Sequence, residues 1–369
     1  MPQSVGESKI SQTIDGLLAW PDDKLPVLTT LLALRRRWMA YDFAELRQQY
    51  EALFADGQEP ETQADAELKV QSLPAAASFQ FMHRHIQDRT WRLCEQIANA
   101  RGDEIVSALQ PDMSDLGNLK LDSELAYPAY YTFDYHRQTG GIWREDIGAA
   151  IYLLGARIVH VGRNSDFQLH DQFVDEIKLV REPERILDLG CGFGKTTFSL
   201  KRRWPNAEVE GLDLSVPCLK LARKMATARG QSINWCHADI ERLPIEENSV
   251  DLAVVTMVFH EMPEDAIQQS FAEAFRVLRP GGTLITLENR LIGDAFRDTL
   301  LKWYSELIDE PYWEPFRHIQ LTAMAKAVGF TKSRLKKWYI AGTDGPAAEA
   351  DPRRWCTPWG QMVAEKEEA

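Results

Sequence analysis

Three glycines spaced two residues apart, Gly190, Gly192 and Gly194, have the clearest chemical potential in this sequence. They follow the apolar run 185–189 and precede a segment of helical character. Glycines let the backbone turn sharply and approach a ligand closely, and a following helix points free N–H groups at that ligand. The stretch 184–197 therefore predicts a strand, a turn and a helix that bind a nucleotide-like molecule.

Spacing separates the kinds of site that use such a turn. A phosphate-binding P-loop requires GxxxxGK[ST], and Gly194, Lys195 and Thr196 supply its end, but Leu189 stands at its leading position. A dinucleotide-binding turn requires GxGxxG, and its last position falls on Lys195 or Thr197. Both patterns fail by one residue.

Acidic residues occur at the ends of successive predicted strands. Asp188 stands just before the glycines, Asp213 ends the run 208–212, and Asp239 follows the run 233–237. Because the carboxyl ends of parallel strands meet at one edge of a sheet, we expect these side chains near one ligand. At the end of the second strand, an acidic side chain can accept the hydroxyls of a ribose.

The order of these features resembles the class I S-adenosylmethionine (SAM) dependent methyltransferases, of the type 11-like kind. Asp188 before GxGxG resembles their first motif, and the phrase RVLRPGG at 276–282 is characteristic of the same family. The resemblance covers the chain from about Arg185 onward. It implies an α/β fold with a Rossmann-like, seven-stranded, mostly parallel sheet flanked by helices. The runs 330–340 and 360–365 would be its closing antiparallel pair.

The resemblance also implies a cofactor, SAM, and a set of residues to hold it. In the family, an aspartate placed like Asp239 contacts the adenine amino group. The predicted SAM-binding residues are Asp188, Gly190, Cys191, Gly192, Gly194, Asp213, Leu214, Ala238, Asp239, Ile240 and Met257.

Catalysis of methyl transfer rests chiefly on positioning, because the methyl group on a sulfonium is already electrophilic. A general base matters only where the acceptor must lose a proton. His260 and Glu261, after the fourth predicted strand, are the first candidates. Alternatively they shape the SAM pocket, and Glu261 caps the next helix.

The segment 126–141 is rich in aromatic residues and ends in a glycine pair. Such a run is most often core, but here polar groups alternate with the rings, and aromatic faces attract a sulfonium. We therefore add Tyr131 and His136 to the candidate catalytic residues. Arg290 suits either an acceptor carboxylate or a surface ion pair, and the triplet 35–37 is interpreted as a solvated or ion-paired helix face.

Three regions follow from these patterns. Helical periodicity predicts an all-helical N-terminal domain over 1–125, which covers the site and can mediate a homodimer. The aromatic connecting segment and its helices occupy 126–180. The SAM-binding domain takes 181–369, with an acceptor-site insertion around 289–320.

Composition restricts the function further. A formal net charge of −13 disfavours nucleic acid as a partner. The N-terminus lacks the features of a signal peptide, and no apolar run is long enough for a membrane span. The five cysteines are scattered along the chain, which indicates reduced thiols. We therefore expect a cytoplasmic protein. His83 and His85 are two residues apart on a predicted helix and face different directions, so no metal site is predicted.

The sequence thus predicts a SAM-dependent methyltransferase that acts on an oxygen, sulfur or nitrogen atom of a small-molecule acceptor by in-line displacement. A protein that binds SAM or its demethylated product without catalysis is the alternative. An NAD-dependent oxidoreductase is a third hypothesis, which predicts nicotinamide binding instead.

Overall fold

The computed structural model describes residues 14–54, 57–159, 161, 164–290, 292–341, 345–351, 353–355 and 359–368. The N-terminal residues on which the signal-peptide prediction rests, and Cys356, lie outside the described residues. The other four cysteines are buried free thiols.

An eight-stranded sheet forms the centre of the protein, with the strand order β1-β4-β3-β2-β5-β6-β8-β7. Strands β1 to β6 run parallel to their neighbours, and β8 pairs antiparallel with both β6 and β7. The strands are β1 Leu119–Lys120, β2 Arg185–Leu189, β3 Glu208–Asp213, β4 Asn234–His237, β5 Val250–Thr256, β6 Leu278–Asn289, β7 Lys332–Trp338 and β8 Trp359–Glu365.

Helices cover the sheet and form most of the N-terminal region. Those before the glycine turn are α1 Ile14–Leu17, α2 Leu25–Arg37, α3 Phe43–Ala52, α4 Gln63–Gln71, α5 Pro74–Asn99, α6 Gly102–Ala108, α7 Asp146–Val159 and α8 Gln168–Asp175. Those after it are α9 Lys195–Arg203, α10 Val216–Ala228, α11 Glu264–Val277, α12 Ala295–Leu307, α13 Trp313–Phe316, α14 Leu321–Val328 and α15 Pro346–Ala350. A π-helical turn, Trp38–Asp42, joins α2 to α3.

The central strands are buried on both faces, because helices lie on each side of the sheet. Ile186 of β2 belongs to a core shared with the N-terminal helices, α7 and α10, whereas its neighbour Leu187 belongs to a core shared with α11 and α14. This alternation follows from the two-residue period of a strand. Both cores hold the carboxyl ends of β2 to β6 in fixed register.

The N-terminal helices do not form a separate lobe with a core of its own. Trp38, Phe43 and Phe79 pack with Phe296 and Trp303 of α12 in a third core. Helix α12 lies in the predicted insertion at 289–320. Two parts of the chain more than 200 residues apart therefore share one apolar cluster, and this cluster packs the N-terminal helices against α12.

The predicted α/β architecture and the closing antiparallel pair are confirmed, with one difference in strand number. Eight strands occur where seven were expected. The additional strand, β1, contains only two residues and pairs with Trp235 and Cys236 of β4. It lies inside the region predicted to be all-helical, and so short an extended segment leaves no periodic pattern in the sequence.

Among the described residues, no helix has both the length and the apolar character needed to cross a membrane.

Candidate functional site

The glycine turn leaves β2 in a conformation that side chains disfavour. Gly190 has φ +73°, and a Cβ atom there would lie 2.6 Å from Val258 Cγ2. Gly192 has φ +52°, and the nearest atom to its Cβ would be in the Tyr152 ring, at 3.9 Å. Gly190 is therefore required for packing, whereas Gly192 keeps its backbone open toward a cavity.

Asp213 ties this turn to the end of β3. Its carboxylate accepts hydrogen bonds from the backbone N–H of Gly192 at 2.6 Å and of Ser215 at 2.7 Å. Burial raises its pKa to about 6, against the lowering effect of these two bonds. The side chain thus holds the turn while its residue faces the same cavity.

We call this space the glycine cavity. Its open space, including the solvent at its mouth, is about 650 Å³. Seven of the residues predicted to bind SAM line it: Gly190, Gly192, Asp213, Leu214, Ala238, Ile240 and Met257. The aromatic segment contributes Tyr130, Tyr131 and Tyr135 to the opposite wall.

The other four predicted SAM-binding residues are not among the described residues that line this cavity. Asp188 is 1% exposed and accepts a hydrogen bond from Thr197 Oγ1 at 2.5 Å. Cys191 packs in the core, and Gly194 precedes the first residue of α9. Asp239 accepts a hydrogen bond from the backbone N–H of Glu241 at 2.9 Å. In this structure these four residues shape the turns that carry the wall.

A second, larger space, the aromatic cavity, encloses about 1530 Å³ beside the first. Residues from distant parts of the chain line it: Arg35, Trp38, Gln87, Trp91, His136, Tyr152, Lys195, Met257, His260, Glu261, Asn289, Tyr304, Glu310, Trp313 and Trp355 among others. Rings make up much of its wall. Its polar groups are concentrated around two histidines.

His260 is held by a carboxylate from the neighbouring strand. Glu288 of β6 is 1% exposed, and its Oε2 lies 2.8 Å from His260 Nδ1. Its Oε1 accepts the backbone N–H groups of Val258 and Phe259 at 2.7 and 2.8 Å. Burial lowers the pKa of His260, but Glu288 outweighs this effect and raises the pKa to about 9. At neutral pH His260 is therefore a cation and a proton donor.

His136 bridges two further carboxylates. Its Nδ1 lies 2.6 Å from Glu310 Oε1, and its Nε2 lies 3.4 Å from Glu261 Oε1. Burial opposes the charge on His136, yet the two carboxylates raise its pKa to about 10, and the pKa of Glu261 is lowered in spite of burial. The residue also has φ +59°, an uncommon backbone state that the surrounding contacts must hold.

The structure thus brings together three of the four candidate catalytic residues, His136, His260 and Glu261. The fourth, Tyr131, lines the glycine cavity, and burial raises the pKa of its phenol well above the ordinary value. Glu310 completes the cluster, although sequence reasoning missed it. Its Oε2 is buried, has no hydrogen-bond partner among the described residues, and lies 3.9 Å from His260 Nε2.

Two interpretations of arginines require comment. The triplet 35–37 was expected on a solvated or ion-paired face, but Arg35 is 5% exposed and lines the aromatic cavity. Arg35 lies on the inner side of α2, whereas Arg36 and Arg37 are exposed. All three belong to one run of arginines, so the sequence pattern did not distinguish the buried one. Arg290 pairs with Glu349 at 2.6 Å, which corresponds to the ion-pair alternative.

The two cavities share part of their walls. Tyr152, Met257 and Glu261 line both. A molecule in the glycine cavity and another in the aromatic cavity would therefore meet at these three residues.

Comparison with known proteins agrees with this geometry. Residues 186–282 match the family described as a methyltransferase domain. The chain carries a methyltransferase domain. This match confirms the class that the sequence predicted for the domain, and the predicted SAM cofactor agrees with it. The matched range contains the glycine turn, Asp213 and the His260 turn.

Relatives of the domain differ in what they are named for. A demethylmenaquinone methyltransferase of Thermus thermophilus is 37% identical over 113 residues, covering 31% of this chain and 50% of that protein. A malonyl-[acyl-carrier protein] O-methyltransferase of Hahella chejuensis is 40% identical over 111 residues, covering 30% and 38%. The chain thus spans about half, or less, of these relatives' length.

Among solved structures, a phosphoethanolamine N-methyltransferase of Haemonchus contortus in complex with SAM aligns over 67% of this chain and 62% of its own, with 15% identity and a TM-score of 0.46.

Proposed function

We propose that this protein transfers a methyl group from SAM, bound in the glycine cavity, to a small acceptor bound in the aromatic cavity. One observation carries the proposal: the methyltransferase domain places two cavities in contact at Tyr152, Met257 and Glu261. One cavity contains most of the predicted SAM-binding residues. The other combines aromatic walls with charged and polar groups that could orient a small organic molecule.

The residues of the glycine cavity fit SAM in shape and charge. Gly192 has no side chain that could fill the space, and Asp213 stands where a carboxylate can accept ribose hydroxyls. SAM supplies a methyl group on an electrophilic sulfonium. Lys195 begins α9 and lies 5.4 Å from the centre of the Tyr152 ring. We propose that its ammonium pairs with the carboxylate of SAM.

In the transfer, an electron pair of the acceptor forms the new bond to the methyl carbon, and the pair of the old bond stays on sulfur. The protein's task is to hold the acceptor atom in line at the shared wall and to exclude water. Where the acceptor loses a proton, a carboxylate oxygen must take it. We propose Glu310 Oε2, which has no hydrogen bond among the described residues, rather than His260, whose pKa of about 9 keeps it protonated.

The acceptor atom is proposed to be oxygen, sulfur or nitrogen, and the relatives' names add carbon. A protein of Dinoroseobacter shibae that is 39% identical over 110 residues is named a ubiquinone/menaquinone biosynthesis C-methyltransferase. His136 and His260, both cationic at neutral pH, could stabilise a developing phenolate on an aromatic acceptor. This arrangement serves attack by oxygen and by a ring carbon alike.

The assembly and location predicted from the sequence are also proposals. Residues such as Tyr41 and Phe81 on the N-terminal helices are 72% and 66% exposed, which supports a homodimer through this region. A cytoplasmic location and an acceptor other than nucleic acid are proposed from the composition alone.

The test is to incubate the purified protein with methyl-labelled SAM and a metabolite extract, and to identify labelled products by mass spectrometry. We expect S-adenosylhomocysteine and one or more labelled small molecules, and an Asp213→Ala variant should yield neither. Tight SAM binding without turnover would support the non-catalytic alternative. Nicotinamide binding without SAM binding would support an oxidoreductase.

A further inference from the structure

Arg35 of α2 is a buried cation in the wall of the aromatic cavity, and its hydrogen-bond partners are neutral. Nη2 donates to Gln87 Oε1 at 2.7 Å, and Nη1 donates to the carbonyl oxygen of Val159 at 3.1 Å. No carboxylate oxygen of the described residues forms an ion pair with it within 4.0 Å. A guanidinium has five N–H groups, so several remain for a ligand.

Burying a charge without an opposite charge is costly. The charge of Arg35 also acts on the nearby His83, in the same direction as burial. This histidine is stacked between Trp38 and Tyr304, at centroid distances of 4.6 and 4.5 Å, and burial together with the field of Arg35 lowers its pKa to about 3. A carboxylate of the protein beside it would act in the opposite direction. Among the described residues, the positive charge of Arg35 in this part of the cavity therefore has no counterion.

A second charged part of the cavity wall contains two carboxylates, Glu261 and Glu310. Gln87 lies between this part and Arg35, because its Nε2 donates to the backbone oxygen of His136 at 3.1 Å while its Oε1 accepts from Arg35. His136 in turn contacts Glu261 and Glu310. Glu261 and Glu310 are thus already paired with a histidine, whereas Arg35 has no carboxylate partner among the described residues. An acceptor with one anionic group would therefore place that group at Arg35. Its uncharged, reacting end would then point to the wall shared with the glycine cavity.

Aromatic rings form much of the remaining wall of the aromatic cavity. Trp38, Trp91, Tyr304, Trp313 and Trp355 all line the cavity. Flat rings of this kind favour a planar, apolar ligand body.

From this arrangement, and resting on the proposed function, we propose that the methyl acceptor is a small aromatic carboxylic acid whose carboxylate pairs with Arg35. A planar guanidinium binds a carboxylate through two parallel hydrogen bonds. Arg35 is thus a specificity-determining residue. It lies outside the matched methyltransferase domain, on a helix from the other end of the chain.

The test measures ligand binding by calorimetry on the full chain saturated with S-adenosylhomocysteine. The probes are benzoate, 4-hydroxybenzoate and indole-3-acetate, each compared with its uncharged amide, and phenyl phosphate. We expect at least one acid to bind the wild-type protein about tenfold more tightly than its amide, since a charge-assisted pair contributes about 1.5–3 kcal/mol.

The decisive variant is Arg35→Gln, matched with Arg37→Gln. Arg37 lies two residues later on the same helix, but its side chain is exposed and 3.7 Å from Asp42. Arg35→Gln should abolish the preference for the acid over the amide, and Arg37→Gln should keep it within about twofold. Unchanged binding of S-adenosylhomocysteine would show that Arg35→Gln is folded.

If Arg35→Gln does not fold, Arg35→Lys decides. Lysine keeps the charge but lacks the planar fork, so acids should bind several-fold more weakly and amides as before. The proposal is overturned if no acid binds, if acids and amides bind equally, if phenyl phosphate is preferred, or if the Arg35 variants retain the preference. Failure of the proposed function would show separately, as absence of S-adenosylhomocysteine formation from SAM by the wild-type protein.

Discussion

The glycine cavity takes most of its wall from turns that directly follow β2, β3, β4 and β5, and most of the rest from the aromatic segment and α7. The aromatic cavity takes most of its polar groups from α2, α5, the aromatic segment, β6 and the loop after α12, together with α9 and the turn after β5. The family match at 186–282 contains most of the first wall and little of the second. If SAM and the acceptor bind as we propose, donor binding is encoded mostly within the domain, and acceptor binding requires the assembly of distant segments.

This difference offers a reason why relatives named for different acceptors align with this chain over 110 or 111 residues, at 39% and 40% identity. A backbone turn fixed by glycines and one aspartate tolerates few changes. A cavity lined by side chains from separate helices can change its ligand through single substitutions without altering the turn. If this contrast is correct, perturbations of one cavity should leave binding in the other largely intact.

The largest expected effect is on stability, and it concerns the aromatic cavity. The pKa of His260 is about 9 in the folded protein and about 6.5 without its partners, so the folded state binds the proton more tightly. This stabilisation is fully present below about pH 6.5 and is lost as the pH rises through 9. One pKa unit corresponds to about 1.4 kcal/mol, so the loss approaches 3 kcal/mol.

Urea unfolding between pH 6 and pH 9.5 measures this loss in the free energy of unfolding. His260→Gln, which can still donate to Glu288, is the control and should show a shallower dependence over this range, with the remaining slope coming from His136. Equal slopes for the two proteins would show that the buried pair contributes no such linkage.

The next effect concerns the glycine cavity. Asp213→Ala removes a carboxylate that holds the backbone of Gly192 and lines the cavity. Loss of hydrogen bonds to a charged group should weaken SAM binding by roughly 100-fold, equivalent to about 2.7 kcal/mol. Calorimetry with SAM measures this change. Binding of aromatic acids to Asp213→Ala should stay close to the wild-type value, and a parallel loss would contradict the separation of the two cavities.

A smaller effect is expected for Lys195→Met. The substitution keeps an apolar chain against Tyr152 and Phe193 but removes the ammonium that we propose for the SAM carboxylate. SAM affinity should fall about tenfold. Affinity for 5′-methylthioadenosine, which has no carboxylate, should not change. Equal losses for both ligands would assign Lys195 to packing instead.

The fold could be predicted from sequence where local patterns repeat. Strand β2, the glycines and Asp213 were identified because apolar runs alternate with polar strand ends. The two-residue strand β1 was missed, because two residues cannot show a period.

The site could be predicted only in part, for a related reason. Burial decided the role of Arg35 and Glu310, and burial depends on which distant helix covers a residue. Asp188 stands beside the glycines in the sequence, and this position predicted a contact with the ligand. In the structure, its carboxylate accepts a hydrogen bond from Thr197 in the first turn of α9. Adjacency in sequence identifies the turn but not the direction of each side chain.

The smallest effect tests whether the aromatic segment joins the two cavities. Tyr130 lines the glycine cavity and donates a hydrogen bond to Glu241 Oε1 at 2.6 Å, while its neighbour Tyr135 lines the same wall. Tyr130→Phe keeps the ring but releases this link, so SAM should bind about three- to tenfold more weakly, chiefly through faster dissociation. Stopped-flow release of SAM measures the rate. Because His136 follows Tyr135 directly, a loosened segment should also slightly weaken the binding of aromatic acids in the aromatic cavity. An effect on SAM binding alone would mean that the segment moves as two independent parts.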